Sequence, residues 1–463
     1  MSAWLYLFVW AATLADQLGG VRMAGLLAGP AVLAFLLLEL GRQRRAIRLV
    51  FLGLVAAGAV GVALAPDPWG VFLSAWRRGA AYAAFFLALG ALREAAQTSP
   101  TVRRCGEHLV AQPAGRRTLA LMGGGHLFGI ILSYGAIDLL GAMVARAEGA
   151  RDAVARRRGR FMLMAAYRGF ATMNCWSPLN IMTAVVSAAV PAANMRPLLP
   201  IAFAVAMAML AVGWLVDHLD GGTRADALPL STEEGWSIHL RIVALVLLVM
   251  LLAEAVAGWF AVSLSTGVTA MVPAVGLGWV VVQGLRRPRA IPAMVLRRLG
   301  RFRARVPEFR GEAAVLAAGG FLGVALGAAL PHGGIAPFLA PGGALYGVLP
   351  AIAVPLLVPV VLLGTGLLGL NPIAIVAVIG AAVPDPAALG VAPAVLAFAC
   401  MLGWGVAVGM TPMSASAIAT ARWTGSDPWT VTLRWNAGFT VGTLLLAWMA
   451  IAAAHVAWSP ALR

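Results

Sequence analysis

Charge is scarce in this chain. Only 11% of its 463 residues are Asp, Glu, Lys or Arg, whereas 61% are hydrophobic. A soluble domain of this length cannot hide that much apolar surface. Lysine is missing altogether, so all 34 basic residues are Arg. Cysteine is limited to Cys105, Cys175 and Cys400. That odd, scattered set has neither CxxC nor metal spacing, which argues against a disulfide framework or a zinc site. No barrel-type alternation is present, and no HExxH, GxSxG, P-loop or facing carboxylate pair. The chain is therefore not expected to be an enzyme. With no soluble domain to act as an ATPase, transport would have to run on an ion gradient. No resident cofactor is expected, and Na⁺ enters only as a coupling ion.

What fills the chain is a series of long apolar runs, the signature of a polytopic α-helical membrane protein. No basic n-region with a small-residue cleavage site is present at the start, so Leu5 onward reads as a first span. The net charge of +16 comes from arginines crowded into short loops. Five lie in 93–117, six in 146–160 and nine in 285–310. This placement follows the positive-inside bias rather than nucleic-acid binding. The expected location is the bacterial inner (cytoplasmic) membrane, crossed many times. Loops 93–117 and 285–310 read either as arm helices at the interface or as solvated basic loops. Loop 217–238 is awkward, because it is acid-leaning where the topology wants it inside.

Counting crossings between Arg-rich loops requires that 118–145 and 350–382 do not cross. Both carry Gly-rich middles: Gly123-Gly124-Gly125 with Ser133, Gly135 and Asp138, and Gly364-Thr365-Gly366 with Gly369-Leu370-Asn371-Pro372. The expected fold is an all-α polytopic membrane protein with about 11 transmembrane helices plus two re-entrant hairpins in two inverted repeats. Residues 1–68 would form N-terminal scaffold helices. Residues 69–216 would be the first repeat, with an inner hairpin at 118–145 and a broken helix at 161–190. Residues 217–311 would be a linker with two spans and a basic loop. Residues 312–457 would be the second repeat, with an outer hairpin at 350–382 and a broken helix at 391–420.

Two phrases carry the functional reading. Ser177-Pro178-Leu179-Asn180 recurs in type as Thr411-Pro412-Met413-Ser414, 234 residues later. Asp138 precedes Ser177 by 39 residues, and Asn371 precedes Thr411 by 40. Matched helix breaks in two halves of a membrane protein point to a binding site between them. Broken ends offer N–H groups to an anion and carbonyls to a cation. One candidate cluster is Ser133, Gly135, Asp138, Asn174, Ser177 and Asn180. The other is Thr365, Gly369, Asn371, Thr411, Ser414 and Ser416. The same small polar residues can instead simply join helices. Asp138 reads as a cation ligand, a proton carrier, or one half of a salt bridge with Arg168 or another Arg. Arg168 reads as an attractor of anionic substrate or as a snorkelling side chain. Glu254 reads as a scaffold or protein–protein contact, with proton carrier as the alternative, and His126 as a hydrogen-bonded hairpin histidine or a proton relay.

This layout resembles the ion transporter superfamily, which includes divalent anion/sodium symporters and arsenite-type and sodium/proton carriers. The two Pro phrases stand where that family breaks its helices, and Gly369-Leu370-Asn371-Pro372-Ile373 looks like a family hairpin tip. The resemblance spans about 80–216 and 312–457. The symporters' Ser-Asn-Thr tip motif is absent, and Gly135-Ala136-Ile137-Asp138 stands in its place, which leaves proton coupling open beside Na⁺. The resemblance implies a homodimer in the lipid bilayer and elevator-like movement. The function expected is secondary transport of a small anion, with carboxylates foremost, coupled to Na⁺ or H⁺. The alternatives are a cation/proton antiporter on the same fold and a membrane-embedded lipid-handling enzyme.

Overall fold

The computed structural model describes residues 2–148, 152–221, 235–285, 288–330 and 350–459. Outside it lie Arg151, Asp226, Glu233, Glu234, Arg286 and Arg287 of the expected loops, and residues 331–340 of the run expected at 312–340. The described residues are all-α with irregular connections. Eight helices among them are long and apolar enough to cross a membrane.

The first elements are α1 (Ser2–Gly19), α2 (Arg22–Glu39) and α3 (Arg45–Leu64), followed by α4 (Pro68–Gln97) and the short α5 (Pro100–Val110). Helix α4 starts where local chemistry dictates: Pro68 takes the first helical position and the Asp67 side chain accepts the Gly70 N–H. Next come α6 (Ala114–Leu132), α7 (Gly135–Glu148), α8 (Ala153–Met173), α9 (Ile181–Ala189) and α10 (Met195–Leu219). Helices α11 (Ser237–Trp259), α12 (Leu264–Gly284) and the Arg-rich α13 (Ile291–Arg305) lead to α14 (Arg310–Ala329). The last group is α15 (Ala353–Leu367), α16 (Pro372–Ala382), α17 (Pro393–Met410), α18 (Ala415–Thr424) and α19 (Ala437–Trp458). Both basic segments left open by the sequence thus contain a helix, α5 in one and α13 in the other.

Two apolar clusters organise these elements. The smaller joins α1–α4 to α14 through Tyr6, Phe35, Trp76 and Phe321. The larger holds α6–α10 together with α15–α19. Lipid supplies no hydrophobic drive between helices, so small residues set how closely they approach. At the α4–α14 crossing a Cβ on Gly79 would stand 2.6 Å from the Ala317 carbonyl oxygen, so the two backbones touch.

Helices α6 and α7 form a hairpin, as do α15 and α16. In the second, Gly369 supplies the positive φ of +81° that the turn needs. The first turn lies at Ser133–Tyr134, with Ser133 at φ +53°. The Gly123-Gly124-Gly125 run is not part of that turn. It lies inside α6, where Gly125 brings α6 against α8: a Cβ there would meet the Ala166 carbonyl oxygen at 2.1 Å.

Candidate functional site

Helical geometry is interrupted at 174–180 between α8 and α9 and at 411–414 between α17 and α18. Each interruption carries one of the Pro phrases. Proline has no N–H and clashes with the preceding turn, so it leaves carbonyls unpaired.

The first interruption is bound up by its own side chains. Asn174 donates through Nδ2 to the Phe170 carbonyl at 2.8 Å. Asn180 donates through Nδ2 to Asn174 Oδ1 at 2.7 Å, while its Oδ1 accepts the Met182 N–H that opens α9. Thr183 donates to the Ser177 carbonyl at 2.8 Å, and Ser177 Oγ accepts the Leu179 N–H at 3.3 Å. All four residues are buried. A further chain ties the segment to α6. The Trp176 indole N–H donates to His126 Nε2 at 2.9 Å, and His126 Nδ1 lies 3.0 Å from Thr172 Oγ1. The Thr172 hydroxyl donates to the Gly169 carbonyl at 2.9 Å. These directions require a neutral His126 with its proton on Nδ1. We expect His126→Leu to leave the buried Trp176 indole N–H unpaired and to cost about 1–3 kcal/mol. A lower melting temperature in detergent with altered tryptophan emission would be the readout.

The second interruption draws its partners from other helices. The Val408 carbonyl would pair with the amide four residues on, but that position is Pro412. Tyr167 of α8 donates its hydroxyl there instead, at 3.0 Å. The Gly409 carbonyl accepts Asn436 Nδ2 at 2.6 Å. Asn436 is in turn held by Arg168, whose Nε donates to Asn436 Oδ1 at 2.8 Å. Thr411 donates to the Ala407 carbonyl at 2.7 Å. Ser414 Oγ caps α18 by accepting the Ala417 N–H and lies 3.2 Å from Ser416 Oγ.

The expected site residues separate accordingly. Asn174, Ser177 and Asn180 form one cluster, and Ser414 with Ser416 part of another. Thr411 adjoins the second hairpin, since a Cβ on Gly366 would reach Thr411 Oγ1 at 2.5 Å, while Gly369 faces Met413. Asn371 caps α16 through the Ile373 N–H at 2.9 Å. Thr365 turns its hydroxyl onto its own helix, to the Val361 carbonyl. Helices α6 and α8 run side by side in the same direction, with Gly129 against Phe170 and Met173. The Ser133–Gly135 turn therefore stands level with the first interruption.

Asp138 and Arg168 are both held in ion pairs. Asp138 does not join the first cluster. It pairs with Arg422 and accepts the Trp423 indole N–H at 3.0 Å, both from α18, and its side chain is 42% exposed. Of the three readings it takes the salt bridge. Arg168 does not snorkel to the surface. Its side chain is 1% exposed and binds Asp217 at 2.5 Å, Asn436, and the Trp435 and Gly213 carbonyls. Glu254 pairs with Arg196 at 2.7 Å, joining α11 to α10. Sequence reasoning missed Tyr167, Asp217 and Asn436. No local pattern marks them, because each acts on a partner at least 27 residues away, the shortest being Asn436 to Gly409.

The helices reach across reciprocally. Gly141 of α7 lies under Trp423 of α18, and Gly380 of α16 meets Ala189 of α9. Each hairpin's second leg thus packs on the short helix after the other interruption. Among the described residues no three His, Cys, Asp or Glu are grouped to hold a metal ion.

No protein-family model and no curated protein matches the chain. Among solved structures it is similar to the YdaH transporter of Alcanivorax borkumensis, described as having an unusual topology. The TM-score is 0.54 at 15% identity, covering 89% of this chain and 98% of that one. At that identity the likeness speaks for the fold alone.

Proposed function

We propose that this multi-pass membrane protein is a secondary active transporter of a small organic or inorganic anion, with carboxylates the first class to test. Coupling is to Na⁺ or H⁺ by alternating access. In this reading 69–216 and 312–457 are inverted repeats, and their hairpins α6–α7 and α15–α16 re-enter the membrane from opposite faces. The observation that carries it is the pair of interruptions, each followed by a short side-chain-capped helix that packs on the opposite hairpin. Non-helical backbone survives at membrane depth only where protein or a wet cavity covers it. Such breaks are how transporters present helix ends to a solute. The likeness to a transporter fold and the resemblance to the ion transporter superfamily support the same reading.

Substrate is assigned to Asn174, Ser177 and Asn180 with Thr411, Ser414 and Ser416. The turns at Ser133–Gly135 and Gly369–Asn371 close the site from either side. The partial positive charge at the starts of α9 and α18 favours an anion. The test is uptake of labelled carboxylates and inorganic anions into proteoliposomes under imposed Na⁺ or H⁺ gradients. Asn180→Ala and Ser414→Ala are each expected to abolish uptake. Ser414→Ala loses a cap at about 1 kcal/mol, and Asn180→Ala also strands the buried Asn174 Oδ1 at about 1–3 kcal/mol, so the amount of folded protein is measured beside uptake. Wild-type uptake by both variants would refute the assignment.

A further inference from the structure

A cleft of about 500 Å³ opens beside Arg168, lined among others by Arg160, Asp217, Asp220, Thr430 and Arg434. Asp217 closes α10 and is 1% exposed. Arg168 takes its Oδ1, whereas Oδ2 is buried and has no hydrogen-bond partner among the described residues. An ionised carboxylate oxygen left unpaired in the interior is costly. A bound cation would relieve it. A metal ion needs several oxygen ligands at once, and the charged groups facing this carboxylate oppose one. They are the arginines Arg168 and Arg160 of α8 and Arg434 before α19, with Arg157 close to Gly221, and they outnumber the one acidic neighbour in the cleft, Asp220 at the end of α10. A proton needs only Oδ2. It neutralises that oxygen without requiring further ligands.

Asp217 is also wired to the candidate site. From its carboxylate the contacts run to Arg168, then Asn436, then the Gly409 carbonyl released by the second interruption. We infer that Asp217 is the residue that binds the coupling proton. A proton on Oδ2 removes the counter-charge of Arg168, and the change is felt by the guanidinium's other partner, Asn436, which holds the Gly409 carbonyl beside Thr411. The proton is taken from and returned to water through the cleft, and no other bond is made or broken. This deepens the transporter reading and rests on it.

The test uses the full chain in proteoliposomes on a solid-supported membrane. A pH jump is the only stimulus and no transported solute is added. Wild type is expected to give a transient charge displacement as the proton binds. Asp217→Asn, which can still hydrogen-bond Arg168, should lose it. Asp217→Glu should keep it with a shifted midpoint, and Asp138→Asn should leave it unchanged. Absence of a signal in wild type, or a full signal from folded Asp217→Asn, overturns the proposal. Where Asp217→Asn does not fold, an unmoved midpoint in Asp217→Glu overturns it equally. Since no substrate is involved, this result stands or falls separately from the uptake of Asn180 and Ser414 variants.

Discussion

Replacing Arg168 with methionine is expected to destabilise the protein by about 3–5 kcal/mol, the usual effect of removing one partner from a buried ion pair. The loss exceeds that of a surface bridge because both side chains of the pair are 1% exposed. Asp217 would keep both carboxylate oxygens buried with no cation, Asn436 Oδ1 would lose its donor, and the Trp435 carbonyl would lose the 3.0 Å bond from Nη2. Methionine fills much of the volume, so the deficit would be electrostatic rather than a cavity. The Asp138–Arg422 bridge offers the contrast. Its side chains are 42% and 64% exposed, and Arg422→Ala should cost no more than about 1 kcal/mol. Thermal unfolding in detergent would rank the two. Combining Arg168→Met with Asp217→Asn should cost less than the sum of the single changes, because the double variant removes the stranded charge. An additive result would mean that the pair contributes no coupling.

The same residues mark where sequence reading stops. The all-helical membrane class was legible because apolar runs of spanning length admit few other structures. The sites of interruption were legible because proline acts locally, on its own turn. Arg168 was not. Its partner Asp217 sat, on paper, in an acidic loop, whereas it occupies the last turn of α10 facing α8. That acidity looked out of place because part of it belongs to a buried pair. Asp138 was misplaced for a related reason. A lone carboxylate in an apolar stretch suggests function by default, and its partner Arg422 lies 284 residues away. Glycine was ambiguous in the same manner. Gly369 makes a turn, Gly125 makes a helix contact, and nothing in the neighbouring sequence tells these uses apart.

Gly169→Ala should be among the most damaging single changes in the chain. A Cβ at this position would lie 1.9 Å from the Met122 carbonyl oxygen and 3.0 Å from the His126 amide nitrogen. Both neighbours are backbone inside α6, so no rotamer change relieves the clash and the two helices must separate. Overpacking of this kind costs about 3 kcal/mol or more. Separation would also strain the Trp176–His126–Thr172 chain, whose members come from both helices. It would further move the Ser133–Gly135 turn away from the first interruption, so surviving protein should be inactive. Gly123 provides the control. It lies in α6 as well, yet a Cβ there meets nothing within 4 Å. Gly123→Ala should therefore gain up to about 1 kcal/mol from helix propensity alone. Melting temperatures of the two variants in one detergent decide the matter, with Gly169→Ala falling and Gly123→Ala level or rising. Equal behaviour would mean that α6 and α8 do not touch through their backbones at this crossing.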